Sequence, residues 1–77
     1  MGNNEYLIYC RKRNVDDKFG AMDLQGGQYG VKMIYASMFD DLENAKKCAE
    51  SLARQNREFE FQVRKYGQSR AIYVPAI

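Results

Sequence analysis

The sequence contains no histidine, no tryptophan and no threonine, and only three serines, Ser37, Ser51 and Ser69. Without histidine there is no imidazole base and no Ser-His or Cys-His nucleophilic pair. Each serine falls near a helix or a turn, where its ordinary role is a hydrogen bond to nearby backbone. The two cysteines, Cys10 and Cys48, are too far apart for a C-x-x-C motif or a zinc ligand spacing. They read as small apolar core residues, with a strand-to-helix disulfide as the alternative. Paired carboxylates occur at Asp16/Asp17 and Asp40/Asp41. Side chains of adjacent residues diverge, so neither pair forms an acid/base couple, and Asp16-Asp17-Lys18-Phe19-Gly20 lacks the alternating ligands of an oxygen-rich metal loop. The expectation is a non-catalytic chain with no metal and no cofactor.

Long apolar runs are also missing. No stretch approaches the ~20 residues of a membrane span, and Met1-Gly2-Asn3-Asn4-Glu5 is not the basic-then-apolar start of a secretion signal. Gly2 invites a myristoylation reading, but that pattern needs Ser or Thr where Tyr6 stands. A soluble, cytoplasmic protein is expected. The net charge of +2 lacks the basic excess of a dedicated nucleic-acid binder. Arg11-Lys12-Arg13 is the sole basic triplet, and Asp16-Asp17 follows it closely.

What is present is an ordinary globular balance, 45% hydrophobic and 29% charged, over 77 residues. That length makes one domain, residues 1–77, and a chain so short buries only about 60–65% of its unfolded surface. Association with a partner is a common remedy for such marginal stability.

Glu58–Lys65 alternates strictly: Phe59, Phe61 and Val63 point one way, Glu58, Glu60, Gln62 and Arg64 the other. This period marks a half-buried strand. Before it, Leu42, Ala45, Ala49, Leu52 and Ala53 form an apolar stripe at helical spacing. Asp40 with Glu43 reads as the N-terminal capping pair, Glu43 and Lys47 as an ion pair one turn apart, and Asn56 as the stop. Upstream, strands are expected over roughly 5–12, 19–24 and 31–36, with a Gly26-Gly27 turn between the last two. Tyr66–Ser69 reads as a hairpin turn and Ala71–Val74 as a closing strand ended by Pro75. The fold class is therefore α+β: two layers, an antiparallel sheet of four to five strands with one helix on one face, in the order β-β-β-α-β-β.

One helix covers one face of a sheet. Yet strand one is apolar or aromatic on both faces, Tyr6, Ile8 and Cys10 against Leu7 and Tyr9, and the run Val31–Ala36 is similar. A face open to water alternates more cleanly. Either the central strands are simply core-like on both faces, or something covers the second face: a loop, a second copy of the chain in a homodimer, or another protein. Tyr9, Tyr35 and Tyr73 are its expected lining, since tyrosine joins an apolar ring to a polar tip. The loop around Gly26-Gly27 offers Gln28 and Tyr29 as further contacts, and Arg11, Arg13 and Arg64 supply positive charge. Tyrosines and arginines on a sheet also permit base stacking on single-stranded nucleic acid, or a pocket for a nucleotide-like ligand at a dimer interface.

The stretch Ile34–Phe39 leading into Asp41–Ala45, together with Ala49–Asn56 and Phe61–Lys65, resembles small uncharacterised proteins of phages and mobile elements in Gram-positive bacteria. The resemblance spans about 32 residues, from Ile34 to Lys65, and implies action by binding and blocking a host component, a defence protein or nucleoprotein among them. It carries over no site residues. The leading expectation is thus a small binding protein, an inhibitor acting by surface complementarity on a protein partner.

Overall fold

A computed structural model of the chain describes residues 5–76. Its elements are β1 (Tyr6–Lys12), β2 (Gly20–Asp23), β3 (Gln28–Val31), a 3₁₀ turn (Met33–Tyr35), β4 (Met38–Phe39), α1 (Leu42–Gln55), β5 (Phe59–Lys65) and β6 (Ala71–Tyr73). The strands make one antiparallel sheet in the order β3-β2-β1-β5-β6. The short β4 pairs with the start of β1, Tyr6 opposite Phe39 and Leu7 opposite Met38, beyond the point where β2 leaves that edge. The α+β plan read from the sequence is the plan of the molecule. β1 and β5 form its centre, paired along all seven residues from Tyr6↔Lys65 to Lys12↔Phe59.

The helix forms where its stripe and its caps agree. Asp41 is the N-cap, and its carboxylate accepts a hydrogen bond from the Glu43 N–H at 3.2 Å. Asp40, the expected cap, stands one residue too early for that geometry. At the other end, Asn56 donates to the Leu52 carbonyl through both its backbone N–H and its side-chain amide. Ala45, Ala49 and Ala53 face the sheet and are buried against Ile8, Cys10, Phe61 and Val63. The alanines let the helix approach closely, so the strands supply the bulk; Ile8 and Val63, fully buried, each contribute about 1.5–3 kcal/mol. On the outer surface Glu43 pairs with Lys46 at 3.5 Å, one residue short of the expected Lys47.

Two expectations are corrected upstream. The third strand runs over Gln28–Val31, not 31–36, and Met33–Tyr35 turns as a 3₁₀ helix despite its strand-like composition. Gly30 takes a positive φ of 83° before the chain leaves the sheet. A Cβ on Gly20 would lie 2.5 Å from the Gly30 backbone, so β2 and β3 can pass this closely only with glycine at that point. Having left the sheet, the chain returns under two bonds, Ser37 N–H to the Met22 carbonyl and Leu24 N–H to the Ser37 hydroxyl, each 2.9 Å. These place Ala36 on the face opposite the helix.

Candidate recognition surface

Pairing register decides which side chains share the face away from α1. Residues directly opposite in a ladder lie on the same side. Met38, Leu7 and Arg64 therefore form one row, Ala21, Tyr9 and Gln62 the next, and Arg11 and Glu60 the third. Leu7, Tyr9, Ala21 and Ala36 are a second buried cluster, with Phe19 and Val31 packed against it. The chain thus covers the middle of this face itself. Tyr9 is only 7% exposed, and the Arg64 guanidinium lies over its ring at 4.0 Å. The expectation that Tyr9 offers its ring to a partner is corrected: the ring belongs to the core.

Arginine and aromatic side chains interleave across the face. Arg11 lies over Phe19 at 4.5 Å, and Arg64 approaches the same ring at 5.8 Å. Each guanidinium is also held through its Nε, Arg11 by Glu60 Oε1 at 2.9 Å and Arg64 by Gln62 Oε1 at 2.6 Å. Arg13 donates from Nη2 to the Phe59 carbonyl at 3.2 Å. Such stacked arginines contribute about 0.5–2 kcal/mol apiece and shield the rings with their stems. Beside them opens a cleft of about 360 Å³, lined by Arg11, Arg13, Phe19, Glu60, Gln62 and Val74 among others.

The margin of the face differs from its centre. Ile34 is 67% exposed, Tyr35 70% and Met38 41%, all within five residues that flank the buried Ala36. Ile72 and Val74, on and after the edge strand β6, are exposed as well.

The remaining sequence-derived candidates lie elsewhere. Tyr73 stands opposite Val63 and packs with the helix-side cluster, so its expected place on the second face is corrected. Its hydroxyl donates to Glu50, and that bond to a carboxylate raises its pKa. Tyr29 stands opposite Met22, also on the helix side, and meets Phe59 edge-to-face at 5.9 Å. Gln28 is exposed beside it on the hairpin. The eight candidates therefore divide: Tyr9, Arg11, Arg13 and Arg64 come together, Tyr35 stands exposed one residue before the buried Ala36, and Gln28, Tyr29 and Tyr73 lie elsewhere. Phe19 and Met38 were missed, because only loop packing and the β1–β4 register bring them to the face.

Tyr29 has a structural partner of its own. Its hydroxyl donates to Asp17 Oδ2 at 2.7 Å, while the N–H groups of Lys12 and Lys18 also donate to that carboxylate. The Lys12 N–H above all, then the tyrosine, holds Asp17 below the usual carboxylate range. Behind Tyr29 is an apolar recess of about 260 Å³ lined by Cys10, Met22, Leu52, Phe59 and Phe61. Burial, with the Asp17 charge second, pushes the Cys10 thiol up to about 11, so it is protonated at neutral pH. Both cysteines are free: Cys10 is buried and Cys48 half-buried. Among the described residues no group of three or more Cys, Asp or Glu is placed to hold a metal ion, and no helix is long and apolar enough to cross a membrane.

No protein-family model, curated protein or solved structure matches the chain.

Proposed function

We propose that the chain is a small non-catalytic binding protein that acts by surface complementarity, and that the sheet face opposite α1 is its contact surface. The observation that carries this reading is a run of exposed apolar side chains next in the chain to that face: Ile34, Tyr35 and Met38, at 67%, 70% and 41% exposure, flank Ala36, which is buried in the cluster of Leu7 and Tyr9. Apolar side chains grouped in this way on a small domain mark interaction sites, and an aromatic beside aliphatic residues is the usual composition of an interface centre. The resemblance to phage and mobile-element proteins extends the proposal: the partner is a host protein or nucleoprotein, and binding blocks it.

The test is affinity capture from a bacterial lysate with the wild-type chain and with an Ile34→Asp/Tyr35→Asp variant. Both positions are exposed, so the variant's stability is expected to stay within about 0.5 kcal/mol of wild type. A partner held by wild type and lost from the variant supports the reading. Equal retention by both chains, or no partner at all, contradicts it.

A further inference from the structure

The arginines of this face have a property that bulk charge does not convey. The stacking on Phe19 and Tyr9, and the single bond at each Nε, fix the guanidinium planes of Arg11 and Arg64. Among the described residues no hydrogen bond engages the Nη groups of either. A guanidinium carries five N–H donors, and its terminal pair matches the two oxygens of a carboxylate. A fork already immobilised loses less entropy when it binds. Arg13 lines the same cleft as Arg11, with Glu60 the one carboxylate in that lining.

Resting on the reading above that this face is the contact surface, we infer that its occupant is an extended acidic segment of a protein partner. Its carboxylates sit on Arg11, Arg13 and Arg64, and an apolar side chain sits against Ile34, Tyr35 and Met38. The distances along the sheet fit such a segment. Met38 stands opposite Leu7, and Arg13 lies six residues further along the β1 direction, roughly 20 Å at strand rise. That is the reach of about six extended residues.

Two other occupants fit less well. A second copy related by a two-fold axis would bring together two faces that each carry Arg11, Arg13 and Arg64 against the single Glu60, and this excess of like charge costs affinity. Single-stranded nucleic acid needs free aromatic faces for its bases, but Tyr9 is buried under Arg64 and Phe19 carries Arg11. Of the side chains left exposed beside them, Tyr35 is the single aromatic ring, too little for a run of stacked bases; Ile34, Met38, Ile72 and Val74 are aliphatic or thioether.

The experiment is fluorescence polarisation of the full chain with a labelled random copolymer of glutamate and tyrosine, and separately with a labelled oligothymidylate, at low and physiological salt. The copolymer is expected to bind. An Arg13→Gln/Arg64→Lys variant is expected to bind it about tenfold more weakly, because one fork is removed and another is replaced by a point charge. Arg13 is exposed and Arg64→Lys keeps charge and stem, and an unchanged circular dichroism spectrum and unfolding midpoint verify the fold. Tighter binding of the oligothymidylate, copolymer binding that the variant leaves unchanged, or no copolymer binding at low salt overturns the inference. The lysate capture repeated with this variant separates the two levels. A partner lost from Ile34→Asp/Tyr35→Asp but retained by the arginine variant leaves the contact surface standing and removes the acidic occupant. A partner retained by both variants removes the contact surface itself.

Discussion

The two faces of this sheet are closed by different chemistry. Toward α1, the alanines of the helix meet Ile8, Cys10, Phe61 and Val63, and the contact is wholly apolar. On the far side Leu7 and Tyr9 are equally hidden, but their cover is Ala36, Phe19 and the guanidinium of Arg64. The first closure is stabilised by area removed from water, and every lost methylene counts. The second is made of long side chains whose stems pack and whose heads stay wet. A face built in that way shields its own rings and still presents charge and fixed donors outward. Under the proposed function, that division lets a chain of 77 residues keep one face for folding and offer the other to a partner.

The sharpest way to break the comparison is to truncate matching positions. Phe61→Ala on the helix side is expected to cost about 3–5 kcal/mol in chemical denaturation, enough to unfold a domain of this size. Arg64→Ala on the other side is expected to cost only about 1 kcal/mol, the stacking on Tyr9 and part of its shielding. Equal losses would mean that both faces are core in the same sense. A smaller effect lies in the loop that carries Phe19. The Asp17 carboxyl is held below its ordinary 3.8 in the folded chain, first by the Lys12 N–H and then by Tyr29. A depressed folded pKa gives stability that is present above the unfolded value and lost as pH falls through the folded one. The unfolding midpoint of wild type is therefore expected to fall more steeply below about pH 4 than that of Asp17→Asn, in thermal melts across an acid series.

The helix-side closure was legible in the sequence because both its partners follow a period. Alternation over Phe59–Val63 and the stripe from Leu42 to Ala53 each identify a face without knowledge of the other. The second face was legible only as a question, posed by the apolar Leu7 and Tyr9. Its answer depends on register: Arg64 lies opposite Leu7, and no local pattern fixes that pairing. The run Val31–Ala36 misled because its β-rich composition is overridden by tertiary demands; the chain leaves the sheet after Val31 and turns so that Ala36 can bury against Leu7 and Tyr9. Tyr73 misled for a related reason. The strand was foreseen, but its side depends on the pairing with Val63 and on the bulge beside it. β4, two residues long, has too short a pattern to be seen.

The claim that recognition belongs to the arginine-covered face is tested most directly by mapping backbone amide shifts by NMR as the glutamate–tyrosine copolymer is added. The account predicts perturbations in β1 from Leu7 onward, in residues 32–38 and in β5 from Glu60 to Arg64, with Leu42–Gln55 unmoved. Shifts concentrated on the helix, with the arginine rows silent, would contradict it.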